Sequence, residues 1–290
     1  MPPHNLPTRR LFHALLLGSA CNLAWGQAPD KADRKLDFRI DESFAGGLGE
    51  NIQAVLQSAA DSIWQHCPNT KWTIPGFFVY KSKDSPITLF DHRPDGRIAI
   101  GLNTGGLYWA QYAFQFAHEF CHALIGHSND WQKREIRKPN TNKWFEESLC
   151  EMASLFALRS MGKSWQTAPP YGNWKSYADS LTKYAAERLD NSKKTLPESQ
   201  PFVTWFREQE AEMRQKGSLR EKNDVVARHL LPLFENEPSG WEALTFLKIG
   251  ERPREESLVN HFAQWLKDAP KSQQPFVRKI ARVFEIELAM

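Results

Sequence analysis

The sequence is poor in the features that would assign it to a special class. Only 4 of its 290 residues are cysteine, too few for a disulfide framework to stand in for a hydrophobic core. No apolar run reaches the roughly 18 residues that a bilayer span requires, which excludes a multi-span membrane protein. Charge of one sign is not in excess: 37 Lys and Arg face 34 Asp and Glu, for a net charge of +3. No electrostatic signal for nucleic acid follows from that balance. Internal repeats and low-complexity tracts are absent. What is present is material for a core. The chain is 41% hydrophobic and 12% aromatic, with 11 tryptophans, so disorder is excluded for most of its length. The length accommodates one large domain or two small ones.

The first 28 residues read as an address. Arg9 and Arg10 form a positive region, Leu11 to Leu17 begins an apolar run, and small residues follow. Ala24-Trp25-Gly26 or Gly26-Gln27-Ala28 supplies a cleavage site, which completes the pattern of a secretory signal peptide. Thr8-Arg9-Arg10-Leu11-Phe12 resembles the twin-arginine export signal. Gly18-Ser19-Ala20-Cys21 resembles a lipoprotein box, with Gly18 where an aliphatic residue is usual, so plain export to the periplasm ranks above lipidation. The mature chain then keeps Cys67, Cys121 and Cys150. An odd number in an oxidising compartment leaves at least one free thiol or an intermolecular bond.

Periodicity divides the remainder. A strand-like run covers 36–40, and apolar spacing of three and four predicts a helix over 46–66. Strands are expected at 72–80, 86–90 and 97–102. A mostly apolar helix follows over 107–127, a polar and basic loop over 128–143, and a second long helix over 144–161. Further helices are expected near 174–190, 201–216, 219–235, 239–248, 254–267 and 272–286, separated by Pro, Gly and Ser clusters. The expected fold class is α+β: a small mixed sheet with a helix pair over 29–162, then a mostly helical part over 163–290.

The chemistry lies in His118-Glu119-Phe120-Cys121-His122. Helix positions four apart stack on one face, so His118 and His122 point two imidazoles at one spot. Two neutral imidazoles favour Zn²⁺ over hard cations. Glu119 lies about 100° around the axis from His118, a poor place for a ligand and a good one for a base acting on metal-bound water. A catalytic zinc needs a third protein ligand and an open position. His127 is out of register for a third histidine, and Asp130 stands in a polar loop. Glu147 and Glu151, four apart on the next helix, are acids in an apolar stretch, where burial demands a partner. Their neighbour Glu146 is a rival ligand.

Trp144-Phe145-Glu146-Glu147-Ser148-Leu149-Cys150-Glu151, together with His118 to His122, resembles the two-motif signature of gluzincin metallopeptidases. The resemblance puts Glu147, 25 positions after His122, in the place of the metal-binding glutamate. It puts Glu151 in the place of the supporting acid one turn later. Glu146 and Ser148 depart from the usual Asn and Gly. The resemblance implies a zincin-like fold, one catalytic Zn²⁺ on His118, His122 and Glu147, Glu119 as general base, and a peptide or protein substrate. It also implies that an edge strand beside the zinc helix receives the substrate, for which Arg97 to Leu102 is the candidate. It further implies a Tyr or His that stabilises the oxyanion; His229 leads, with Tyr184 and Tyr177 behind. Cys121 and Cys150 neighbour site residues on the two facing helices and read as small packing residues. Two rival readings remain: a zincin-like scaffold of the cell envelope without turnover, and a zinc amidase acting on cell-wall peptide.

Overall fold

In the computed structural model, residues 35–70, 74–89, 93–126, 140–190, 195–197, 199–248 and 253–289 are described. The expected leader, His127 and Asp130 lie outside them. A short strand β1 (Phe38–Ile40) leads into one turn of helix, α1 (Glu42–Ala45), capped by the Asp41 carboxylate on the backbone N–H of Ser43 and Phe44. Helix α2 (Gly49–Trp64) follows, then strands β2 (Phe77–Lys81), β3 (Ile87–Leu89) and β4 (Ile98–Leu102). The four strands form one mixed sheet in the order β1-β2-β4-β3. β1, β2 and β4 run parallel, and β3 pairs antiparallel to β4. Gly76 opens β2 at φ +100°, where a Cβ would stand 2.7 Å from the Asp37 carbonyl, so the register of β1 against β2 depends on a residue without a side chain.

This topology corrects one sequence expectation. The segment expected to receive an extended substrate is β4, and β4 lies inside the sheet between β2 and β3. Among the described residues, the edge strand beside it is β3. The sequence showed four strand-like runs but not their lateral order, since β4 crosses over to pair with β2 and leaves the intervening strand outside.

One face of the sheet, carrying Phe77, Val79, Ile98, Ile100 and Leu102, is fully buried. Helix α3 (Trp109–Gly126) lies against it, with Phe116 and Phe120 one turn apart and their rings 5.6 and 6.0 Å from that of Phe77. Helix α4 (Lys143–Ser164) packs on α3 and also against α2. Helices α5 (Ala178–Leu189), α6 (Phe202–Lys216) and α7 (Arg220–Asn236) surround it on its other sides. α4 is therefore buried almost all round, which explains its lack of an amphipathic pattern. The chain ends in α8 (Trp241–Leu244), α9 (Leu258–Asp268) and α10 (Gln274–Val283). The α+β class holds, with a small sheet followed by a mostly helical part. The two parts share one continuous core: Phe145 of α4 meets Phe262, Trp265 and Phe284.

The loop before α4 is pinned from the C-terminal part. Thr141 N–H donates to the Arg254 carbonyl at 2.9 Å, and Asn142 Nδ2 donates to that of Glu256 at 3.0 Å. Arg214 reaches Asn142 Oδ1 at 2.8 Å and the Glu256 carbonyl at 2.9 Å. These bonds fix the axial position of α4, and with it the acids of its first two turns.

Candidate metal centre

Helices α3 and α4 bring together the residues that the motifs named. The rings of His118 and His122 lie 4.9 Å apart, as expected one turn apart on one face. Glu147 stands opposite both: its Oε2 is 3.5 Å from His118 Nε2 and 3.7 Å from His122 Nε2. The other ring nitrogens face different acids. His118 Nδ1 is 3.7 Å from Glu151 Oε1, and His122 Nδ1 is 2.8 Å from Glu146 Oε1. Glu146, a rival ligand in the sequence, thus stands behind His122 as its hydrogen-bond partner. Glu119 is buried, and its Oε2 accepts a 2.7 Å hydrogen bond from Thr88 Oγ1 of β3.

His118, His122 and Cys150 also form a group that could hold a metal ion, their donor atoms all within 4.8 Å of one another. Cys67, Cys121 and Cys150 are buried thiols outside any disulfide. Burial, with the Cys121 thiol close by on α3, raises the pKa of Cys150 well above the ordinary thiol value. The sequence assigned Cys150 to packing alone. Its place three residues after Glu147, on the same side of α4, was a legible sign that it also reaches the histidines.

The electrostatics are those of a site built around positive charge. Burial lowers the pKa of His118, but the hydrogen bond to Glu147 and the charges of Glu151 and Glu119 reverse this, for a net upward shift. Burial likewise opposes a charged His122, and Glu146 and Glu147 overcome it, raising His122 well above its usual value. For Glu147 burial favours the neutral acid, yet the two imidazoles facing it hold its carboxyl far below the ordinary carboxylate range. Lys143, one turn earlier on α4, lies 3.2 Å from Glu147 Oε1, and Arg220 at the start of α7 lies 3.8 Å from Glu151. Four carboxylates (Glu119, Glu146, Glu147, Glu151) thus gather around the two imidazoles, with Lys143 beside Glu147 and Arg220 beside Glu151.

The three candidates for an oxyanion donor have other surroundings. His229 stacks on Phe202, ring centroids 4.0 Å apart. It stands nine residues beyond Arg220, about 13 Å along α7. The Tyr177 hydroxyl accepts from the N–H of Ala110 at the start of α3, and Tyr184 packs edge-on against Phe114. Thr88 is a site residue that the sequence did not name, and Glu146, named there as a rival ligand, stands instead behind His122. Thr88 had no local signal, because its role rests on strand order. For Glu146 the unusual acid next to Glu147 was the available one. No protein-family model matches the chain, and no curated protein or solved structure matches it.

Proposed function

We propose that this chain hydrolyses peptide bonds using one zinc ion held by His118, His122 and Glu147. The observation that carries the reading is the orientation of the two imidazoles. Both Nε2 atoms turn towards one oxygen of Glu147, at 3.5 and 3.7 Å, while the Nδ1 atoms turn towards Glu151 and Glu146. Ligand atoms on a tetrahedral zinc at 2.0–2.1 Å lie about 3.3 Å apart, so the observed separations need only a small contraction. Carboxylates on the far ring nitrogens fix the tautomer and strengthen the ligands. Glu147 suits the third position better than Cys150, whose thiol is fully buried and whose pKa burial raises well above the ordinary value.

Bound zinc supplies a water of lowered pKa and polarises a substrate carbonyl. Glu119 accepts the proton of the attacking water and passes it to the departing amine. β3, the edge strand among the described residues and one hydrogen bond from Glu119, offers main-chain pairing to an extended peptide. Export across the inner membrane is part of this proposal and rests on the segment around Arg9 and Arg10. Among the described residues no helix is long and apolar enough to cross a membrane.

A second reading, a metal-binding scaffold without turnover, is favoured by the surroundings of His229, stacked on Phe202, and of the Tyr177 hydroxyl, which accepts from the N–H of Ala110. The two are separated by measuring zinc content and the hydrolysis of fluorescein-labelled, unfolded casein. One zinc per chain with dye release is the expected result. Bound zinc without release establishes the scaffold, and failure to bind zinc overturns both readings.

A further inference from the structure

We infer that Thr88 is a positioning residue for Glu119, tying the general base to the strand that receives substrate; this rests on the hydrolase reading above. Thr88 is the middle residue of β3 and stands opposite Ile100 of β4, so its side chain lies on the sheet face turned to α3. Its Oγ1 is 2.7 Å from Glu119 Oε2 and 3.1 Å from the Glu119 carbonyl oxygen. The shorter contact falls at the length expected of an O–H···O⁻ bond. The Glu119 carbonyl already accepts within α3, so the single hydroxyl proton goes to the carboxylate.

The consequence is atomic. Oε2 of Glu119 is committed to Thr88, which leaves Oε1 to receive the proton from water. The tether also works against a competing arrangement. A carboxylate beside a divalent ion is drawn to bind it directly, and doing so would fill the position that water needs. Thr88 pulls from the sheet side, away from the imidazoles. The β-branched side chain has few χ1 rotamers, so the hydroxyl is held in aim before substrate arrives. A peptide paired along β3 then lies on the same short strand that orients the base. Register between scissile bond and base is set by one element.

The test compares wild type, Thr88→Val and Thr88→Ser in zinc-loaded protein. The probe is a peptide that wild type cleaves in a mixed-sequence pool, and zinc content and affinity for acetohydroxamate are measured alongside. Val matches Thr in shape and removes only the hydroxyl. Thr88→Val should keep one zinc per chain, bind acetohydroxamate several-fold more weakly, and lose about 10- to 100-fold in kcat with KM within about twofold. Thr88→Ser should recover most of that loss. Thr88→Val within about twofold of wild type, equal losses in the Val and Ser variants, or loss of zinc from Thr88→Val would each overturn the assignment. Failure of the hydrolase reading has a separate signature: zinc-loaded wild type itself cleaves nothing in the pool, which removes the role of Thr88 with it.

Discussion

Two buried histidine–glutamate clusters in this molecule share the same kinds of contact and differ in what they can do. In the C-terminal part, His261 is fully buried, its Nδ1 lies 2.9 Å from Glu256 Oε2, and its ring packs edge-on against Phe145 and Phe262. There His261 meets Glu256, and the backbone of Glu256 pins the loop before α4. Between α3 and α4, two imidazoles meet four acids, and both Nε2 atoms turn to a single oxygen of Glu147. A His–Glu pair satisfies a buried ring; converging ring nitrogens with acids on their far sides make room for a cation. Convergence of the two ring nitrogens marks the candidate centre, and proximity alone does not.

The comparison can be broken or sharpened by experiment, and the largest effect belongs to the base. Glu119→Gln should keep zinc and lower casein hydrolysis by about 10²- to 10⁴-fold; unchanged turnover in that variant would remove Glu119 from the reaction. Glu146→Gln comes next. It exchanges the carboxylate behind His122 for an amide and should weaken zinc affinity by about 10- to 100-fold, read by competition with a chelator. Zinc affinity equal to wild type would reduce Glu146 to packing.

Stability against pH should separate the metal-free and zinc-loaded chains. His118 and His122 are raised in the folded chain. Their contribution is complete below about pH 6.5 and is lost as pH climbs through the raised values. Glu147 is depressed, so its contribution is present above about pH 4.5 and is lost only in strong acid. Metal-free protein should therefore melt at lower temperature as pH rises from about 6 to about 9, while zinc-loaded protein, relieved of proton competition, holds or gains. Parallel melting curves for the two forms would contradict the assignment. The smallest effect at the centre is expected from His261→Ala. It leaves the buried Glu256 short of a partner and should cost about 1–3 kcal/mol of stability in a urea melt. Zinc stoichiometry should stay at wild-type level, and a loss of zinc binding would show that the two clusters are coupled.

Much of this molecule is legible in its amino-acid sequence. Helix periodicity marks α3 and α4 to within a few residues, and the four-residue spacings put His118 with His122 and Glu147 with Glu151. Those are properties of one helix at a time, and 3.6 residues per turn settles them. Glu146 is harder to read, because its partner depends on how far α4 is rotated against α3. The 2.8 Å contact to His122 follows from that rotation. His229 attracts attention as a histidine on a helix that matches a pattern, but the pairing of α7 with α4 turns Arg220 to the site and leaves His229 on Phe202.

By itself the sequence determined which side chains share a helix face, that a core could form, and that the acids of α4 would need positive partners. Those outcomes follow from local geometry and the cost of burying charge. Tertiary structure alone decided that β3 and not β4 is the edge strand among the described residues, that Thr88 reaches Glu119, and that a thiol-bearing position stands beside the imidazoles. Each of these depends on the lateral order of strands or the crossing of two helices, and no repeat of 2 or 3.6 along a single segment carries that information.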